Sequence, residues 1–514
     1  MSSIAIKKWS ALAAVTLGVL AVGLDVTVLS VALPTLAVAL HASESDLQWF
    51  SAGYALTLAG GMLPFGVLGD RFGRKRVMLG ALVLFGAGSV VCAFAPGAGA
   101  FIAARVVLGA AGAAIVVMAL SVVTVLFSEE ERPRAIGVWA AANFLALPLG
   151  PILGGWLLTH FWWGWVFLMN LPVAAVGLIA VIALVPESRA SRRPALDPVG
   201  MLAATFGLAG VTYGLIELGR NGWTDPGSLA ILTVGVAAIV GFFLWERRLP
   251  LRPGGRPLID LSLFDTPGFT WGVILASLGG LTLIGVIFTM PQYSQGVVGV
   301  DPQGSGFRLL PIIVGLVAGA VPADRLAGWA GAKVTIATGF AITTAGLLVG
   351  STTAVDSSTW FMAAWMAVVG FGMGIGFATA ASAALKHVPS DRSGVASALI
   401  QAMQKVGAPF GAAILGSVLV SGYHSELNLA GLPLALAGAI RLSVFAGAKV
   451  AESLHSPALL LSVRQAFVHG MDLALLTSAA IAAVAMLLAL AFMPGRSPAG
   501  EPSVATAREV GSVA

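Results

Sequence analysis

The stretch GVLGDRFGRKRVML, Gly66–Leu79, places one acidic and four basic side chains among three glycines, between two long apolar runs. Each flanking run is about twenty residues long, the length that an α-helix needs to cross the hydrocarbon core of a bilayer. Charged side chains in such a short connection hold the ends of the two helices in water. The stretch therefore predicts a helical membrane protein with a charged loop between its second and third spans.

The composition of the whole chain agrees with this prediction. Of its 514 residues, 58% are hydrophobic and 10% are charged, and the mean hydropathy is +0.94. A water-soluble domain cannot bury that much apolar surface, and the apolar runs are continuous rather than alternating as in a strand barrel. We predict an all-α integral membrane fold.

The charges and the single cysteine argue against several other classes. The net charge is +5, but the basic residues are scattered over short loops, so we expect no nucleic-acid partner. Cys92 stands alone, which excludes an internal disulfide, and the histidines show no metal-ligand spacing. We therefore predict no catalytic residue, no metal and no cofactor.

A window of about twenty residues finds fourteen apolar segments along the chain. Their approximate limits are 11–36, 48–69, 77–95, 101–126, 135–158, 165–185, 198–218, 228–246, 269–290, 305–323, 334–352, 360–384, 396–420 and 469–492. Most Lys and Arg residues fall in connections on the side of the N-terminus, and the positive-inside rule then places both termini in the cytoplasm. The interrupted segment at about 422–468 is assigned to a long outer loop with interfacial helices. Twelve or sixteen spans are the alternatives.

An internal repeat predicts two related halves. Asp70-Arg71 ends the second span and Asp324-Arg325 ends the tenth, both on the same predicted side. Tandem bundles with a site between them are the architecture of transporters. We predict an N-terminal six-helix bundle over 1–190, two inserted helices over 191–257, a C-terminal six-helix bundle over 258–493 and a cytoplasmic tail over 494–514.

The run Gly66–Lys75 resembles the signature loop between the second and third helices of the major facilitator superfamily. The first span, GLDVTVLSVALPTL at Gly23–Leu36, and MPQYSQ at Met290–Gln295 are similar to the fourteen-helix drug/proton antiporters of that superfamily, the exporters of the quaternary-ammonium and methyl-viologen type. In the family the loop stabilises one conformation of an alternating-access cycle. The resemblance implies a conformational role for the loop residues Gly66, Asp70, Arg71, Gly73 and Arg74.

The fifth span, GVWAAANFLALPLGPILGG at Gly137–Gly155, is similar to the antiporter signature of the same family. Glycines let helices approach closely, and a proline removes a backbone hydrogen bond and bends its helix. The residues that carry the match are Gly150, Pro151, Gly154 and Gly155. Ala146 stands where the family has a glycine, and we expect its methyl group to weaken the packing slightly.

Two ionisable residues within the first and fourth spans are candidates for proton coupling. A charged group deep in a span is costly, so a functional role is the first hypothesis for Asp25. Arg105 is similar to an arginine of the family that takes part in proton transfer, and because arginine keeps its proton, its role would be to tune a carboxylate such as Asp25. The alternatives are a fixed structural pair for Asp25 and an arginine reaching the outer interface for Arg105.

The predicted substrate cavity draws on polar and aromatic residues inside the spans. Lys405, next to Gln404 in the thirteenth span, is interpreted as an attractor of an anionic substrate group, as a counter-ion to Asp25, or as an anchor at the inner end of its helix. Mid-span aromatic residues are further candidates for an apolar cavity. They are Phe144, Trp271, Phe288 and Phe377.

These features predict a proton-driven exporter of amphipathic small molecules in the bacterial inner membrane, with protons and lipid as its other partners and a monomer as its minimal unit. A dedicated exporter of one metabolite, antibiotic, siderophore or lipid is the alternative. A membrane enzyme or receptor would need a catalytic constellation or a soluble domain, and we find neither motif in the sequence.

Overall fold

The computed structural model describes residues 3–128, 131–189, 197–251, 261–386, 388, 393–429 and 431–495, and all regular structure in these ranges is helical. The helices are α1 (Ser3–Ala39), α2 (Glu44–Phe72), α3 (Arg74–Ala93), α4 (Ala98–Leu126), α5 (Arg132–His160), α6 (Trp165–Leu168), α7 (Asn170–Leu184), α8 (Pro198–Asn221), α9 (Pro226–Arg248), α10 (Pro267–Gln292), α11 (Pro302–Arg308), α12 (Leu310–Ala330), α13 (Ala332–Gly350), α14 (Thr359–Leu385), α15 (Ser393–Glu426), α16 (Leu434–Leu442), α17 (Val444–Ser453) and α18 (Pro457–Phe492).

Twelve of the fourteen predicted spans fall on one helix each, and the other two, 165–185 and 305–323, each cover two consecutive helices, α6 with α7 and α11 with α12. Not every helix meets a strict test for crossing a membrane. Within the described ranges, 12 helical segments are long and apolar enough by length and composition. Helix α2 adds a thirteenth if its two parts, bent by 49° next to Pro64, count as one span. In α5 the apolar part, Leu145–His160, is shorter. The chain is a multi-pass helical protein, and the count of fourteen and the cytoplasmic termini stay predictions.

The helices pack mainly within two groups. In the first, α1 packs on α5 and α7, and α2 and α3 pack on α4. In the second, α12 and α13 pack on α14, α10 packs on α15, and α18 packs on α13 and α15. Helices α8 and α9 pack on each other, and α8 also contacts α2 and α15. The predicted ends of the inserted pair, 191 and 257, and most of the predicted tail lie outside the described residues.

The closest helix contacts in the second group depend on the glycines of α14. A Cβ on Gly372 would lie 2.5 Å from the carbonyl oxygen of Gly339 on α13. On the other face of α14, a Cβ on Gly370 would overlap the backbone of α12. Small residues on both faces therefore let one helix contact two neighbours backbone to backbone, which favours association in a membrane.

The segment predicted as a long outer loop contains two short helices, α16 and α17. Its ends differ from the prediction, because α15 continues to Glu426 and α18 begins at Pro457 rather than at 469. The hydroxyl of Ser456 caps α18 by accepting a hydrogen bond from the Leu459 backbone N–H, so the helix starts well before the charged residues that interrupt its apolar pattern. The Tyr423 hydroxyl donates to the carbonyl oxygen of Ile440 at 2.8 Å, which fastens α16 to α15.

Candidate functional site

The signature loop forms a tight turn between α2 and α3. Gly73 follows the end of α2 and has a φ of 113°, a left-handed backbone conformation that residues other than glycine rarely adopt. Arg74 donates from Nη2 to Oδ1 of Asp70 at 2.8 Å and from Nε at 3.0 Å, so the acid is paired inside the loop. The Arg71 guanidinium lies 5.7 Å from the ring centre of Phe72.

The loop is also fastened to the end of α7. The Arg74 backbone N–H donates to the carbonyl oxygen of Ser188 at 3.0 Å, and the Lys75 backbone N–H donates to Glu187 at 3.2 Å. A Cβ on Gly73 would lie 2.6 Å from Oε1 of Glu187. Gly66, by contrast, leaves room for a side chain, since a Cβ there would make an ordinary contact of 3.5 Å with Val117 on α4.

A buried ion pair joins α1 and α4. Arg105 Nη1 donates to Oδ2 of Asp25, and the exposed fractions of the two residues are 1% and 2%. Arg105 Nε also donates to the carbonyl oxygen of Phe50 at 3.0 Å, and its guanidinium lies 4.2 Å from the ring centre of Tyr54. The structure thus brings the two predicted coupling residues together and excludes a position of Arg105 at the outer interface.

Asn170 and Ser89 complete this buried network, and sequence reasoning missed both of them. Asn170 Nδ2 donates to Oδ1 of Asp25 at 3.1 Å and to Oγ of Ser89 at 3.2 Å. Both residues are buried. The signal was an amide in the apolar string WGWVFLMNLP that opens the sixth span, but no spacing in the sequence links it to Asp25.

The antiporter-like helix α5 packs on α1 through its glycines. A Cβ on Gly154 would lie 2.6 Å from Cγ1 of Val28, and one on Gly150 would overlap Thr27. The methyl group of Ala146 faces Gly23 of α1, where a second Cβ would lie only 2.6 Å away, and a slight weakening of the packing by Ala146 stays a prediction. The methyl is accommodated because α1 supplies the glycine.

Contacts between the two groups of helices lie at the end of the molecule away from the signature loop. Gly155 meets α11, the short helix that directly precedes α12 of the second group, where a Cβ would lie 2.7 Å from the carbonyl oxygen of Pro302. Gly306 of α11 packs against the backbone of Pro151. Between described residues of the two groups, all hydrogen bonds are at this end. They join Gln295 to Val31, Thr159 to Asp301 and Gln303, and Ser417 to Gln48.

A cavity of about 510 Å³ lies between the two groups of helices. Its walls come from α1, α2, α4 and α5 on one side and from α10, α12, α14 and α15 on the other, and they are mostly apolar. Arg105 and Tyr54 line the cavity, whereas Asp25 lies behind them. Asp25 is therefore one side chain away from any molecule that occupies the cavity.

The predicted cavity residues divide into three groups. Lys405, Gln404, Phe288 and Phe377 line the cavity. Trp271 does not, because its ring stacks on Phe492 with centroids 4.4 Å apart. The side chain of Phe144 lies outside the described residues.

The position of Lys405 bears on the three interpretations of its role, which are substrate attractor, counter-ion to Asp25 and helix-end anchor. It faces the central cavity rather than the helix end, and Asp25 already has Arg105 as its partner. In this conformation the contacts therefore favour the substrate-attractor interpretation, and the role of Lys405 stays a prediction. Within the described residues, no group of three His, Cys, Asp or Glu side chains could hold a metal ion.

Two bundles of membrane helices with a cavity between them define a membrane transporter. The family model of the Major Facilitator Superfamily matches residues 15–412, and the chain belongs to that family. It is a multi-pass bacterial membrane protein and a transporter rather than an enzyme.

The relatives are resistance and export proteins. The chain is 31% identical over 496 residues to the tetracenomycin C resistance and export protein of Streptomyces glaucescens, covering 94% of this chain and 91% of the relative. It is 31% identical to the multidrug efflux pump LfrA of Mycolicibacterium smegmatis, covering 94% and 95%. It is also 31% identical to the methyl viologen resistance protein SmvA of Salmonella typhimurium, covering 91% and 95%.

Solved structures share the fold. A bacterial homolog of the human lysosomal transporter Spinster matches with a TM-score of 0.68 at 17% identity, covering 97% of this chain and 100% of that one. A D-xylose–proton symporter matches with a TM-score of 0.60 at 15% identity, covering 95% and 98%.

Proposed function

We propose that this protein exports amphipathic small molecules from the cytoplasm in exchange for protons, by alternating access between its two groups of helices. The observation that carries the proposal is the cavity between the groups, with Arg105 in its wall and the paired Asp25 directly behind it. The relatives named for resistance and export support the direction of transport. The minimal unit of this proposal is a monomer in lipid.

The contacts between the groups support alternating access. They close the end of the cavity away from the signature loop, and with cytoplasmic termini this is the outer end. A substrate then enters from the cytoplasm. Its release requires the hydrogen bonds at the outer end, such as that between Gln295 and Val31, to break as the groups rock against each other.

The ion pair supplies a means of coupling. Both carboxylate oxygens of Asp25 accept hydrogen bonds, one from Arg105 and one from Asn170. A proton on Asp25 removes the charge that holds Arg105, whose other contacts to Phe50 and Tyr54 remain. Because Arg105 lines the cavity, protonation changes the wall that the substrate meets. Proton and substrate thereby affect each other's binding, as linkage requires.

A dedicated exporter of one antibiotic or other metabolite is the second candidate. The relative named for tetracenomycin C favours it, since that name refers to a single compound. The two candidates share the mechanism and differ in the range of compounds that the cavity accepts.

Proton release from inverted membrane vesicles tests the proposal. Vesicles acidified inside are treated with cationic, neutral and anionic amphiphiles in turn, and proton efflux is followed with a pH dye outside. We expect at least one class to trigger efflux in the wild type, and Asp25→Asn to abolish it. Asp265→Asn is the matched control, because Asp265 is exposed and forms no ion pair or hydrogen bond with the described residues.

Two results would count against the proposal. If Asp25→Asn exchanges protons for substrate at the wild-type rate, Asp25 and Arg105 are a fixed structural pair. If radiolabelled substrate leaves the cytoplasm without any proton movement, the exporter uses another driving ion.

A further inference from the structure

Lys405 is an unpaired cation in the wall of the central cavity. It lies on α15 together with Gln404, and both line the cavity. Among the described residues, no acidic side chain lies within ion-pair distance of its ammonium group and no hydrogen-bond acceptor reaches it. The established family and the proposed antiport mechanism give this residue no role.

The cavity therefore carries an uncompensated positive charge. Its charged lining residues, within the part of the chain that the structure describes, are Arg105 and Lys405. The charge of Arg105 is neutralised by Asp25, and no Asp or Glu lines the described wall. The remaining polar lining is neutral, from Thr27, Ser30, Ser51, Tyr54 and Gln404.

An ammonium group in a mostly apolar cavity is stabilised when an anion pairs with it. No described protein group supplies that anion, so a substrate that carries an acidic group gains an ion pair that the protein itself does not form. A cationic substrate in the same cavity meets like-charge repulsion, which increases as the dielectric constant of the surroundings falls.

We infer that the substrate is an amphipathic organic anion, with an acidic group that pairs with Lys405 and an apolar body that lies on the aromatic wall. The inference rests on the proposed export function and specifies its substrate class. Phe288 and Phe377 provide the apolar surface, and Gln404 adds a neutral amide, which can donate hydrogen bonds, to the same cavity wall. The cavity of about 510 Å³ is within the range of sites for drug-sized ligands.

The matched dyes fluorescein, an anion, and rhodamine 123, a cation, test this inference because they share a ring system. Their binding to the purified full-length protein in detergent is measured by fluorescence anisotropy at low salt. We expect fluorescein to bind at least tenfold more tightly than rhodamine 123. Lys405→Met should remove this preference, and Lys405→Arg should retain most of it because it keeps the charge.

Lys386→Met is the control for the loss of a lysine, since Lys386 is exposed at the end of α14, away from the cavity. Its dye preference should equal that of the wild type. Gel filtration and thermal unfolding of Lys405→Met show whether it folds, and the folded Lys405→Arg variant keeps the test valid if it does not.

The inference is overturned if rhodamine 123 binds as tightly as fluorescein, or if folded Lys405→Met keeps the anion preference. Lys405→Arg losing the preference also overturns it, because a charge-based site tolerates that change. Failure of the proposed function is a separate result. In that case fluorescein still binds through Lys405, but it triggers no proton efflux from vesicles.

Discussion

The bond from Asn170 to Asp25 should be worth a measurable fraction of the stability of the N-terminal helices. Asn170→Ala removes a donor to a buried carboxylate and a second bond to Ser89. A hydrogen bond to a charged group is worth about 1.5–3 kcal/mol in proteins, while side-chain bonds between membrane helices average about 0.6 kcal/mol with a maximum of about 1.7. We therefore expect Asn170→Ala to lower the free energy of unfolding by about 1.5 kcal/mol.

A double-mutant cycle isolates the part of this loss that belongs to the charge. In an Asp25→Asn background the same Asn170→Ala change should cost only about 0.5 kcal/mol, because a neutral amide is a weaker acceptor. The coupling energy is then about 1 kcal/mol. Unfolding is followed by tryptophan fluorescence as sodium dodecyl sulfate is added to protein in a mild detergent.

Ser89→Ala is the control for this cycle. It breaks the other bond of Asn170 and leaves the carboxylate contact in place, so its cost should be below about 1 kcal/mol and should not change when Asp25 is neutralised. A coupling energy of zero between Asn170 and Asp25 would refute the reasoning, since it would mean that Asn170 does not recognise the charge of the carboxylate.

Three further changes test packing, strain and charge. Gly154→Val should lower stability by about 1–3 kcal/mol and reduce transport, because the new side chain overpacks against α1. Gly80→Ala should be neutral, because no atom lies within 4 Å of a Cβ at that position. Thermal unfolding and dye efflux are measured for both variants. Gly73→Ala should cost about 1–3 kcal/mol because of its left-handed backbone, and wild-type stability would contradict this. The hydrogen bond from Lys8 holds the pKa of Glu131 below its usual value. The Lys8–Glu131 pair should therefore stabilise the folded protein above the unfolded-state pKa of Glu131. This stabilisation should be lost as the pH falls through the folded-state pKa. Glu131→Gln should therefore flatten the pH dependence of unfolding below the usual pKa of a glutamate, and an unchanged profile would show that the pair contributes nothing.

Much of the membrane architecture follows from the sequence alone. Each predicted span lies in helical structure, because the cost of placing apolar and charged groups in lipid can be added along the chain one residue at a time. The prediction was weakest at α18, where a serine cap starts the helix ahead of residues that a hydropathy window treats as an interruption.

The candidate site was only partly predictable. A buried charge needs a partner, so Asp25 and Arg105 could be matched from their positions within spans, and the structure pairs them. Their role in proton coupling stays a prediction. Asn170 could not be found this way, since it lies 145 positions from Asp25 and a neutral amide in an apolar string indicates no particular partner.

What the sequence determined is where each helix runs and where its charged ends lie, because transfer between water and lipid depends on local composition. What only the tertiary structure decided is which face of each helix meets which neighbour. Trp271 and Phe288 lie on the same helix, yet one stacks on Phe492 and the other lines the cavity. Lys405 likewise faces the cavity and not lipid. In an apolar solvent nearly every face of such helices is apolar, so the choice of face depends on shape and close packing between helices distant in sequence.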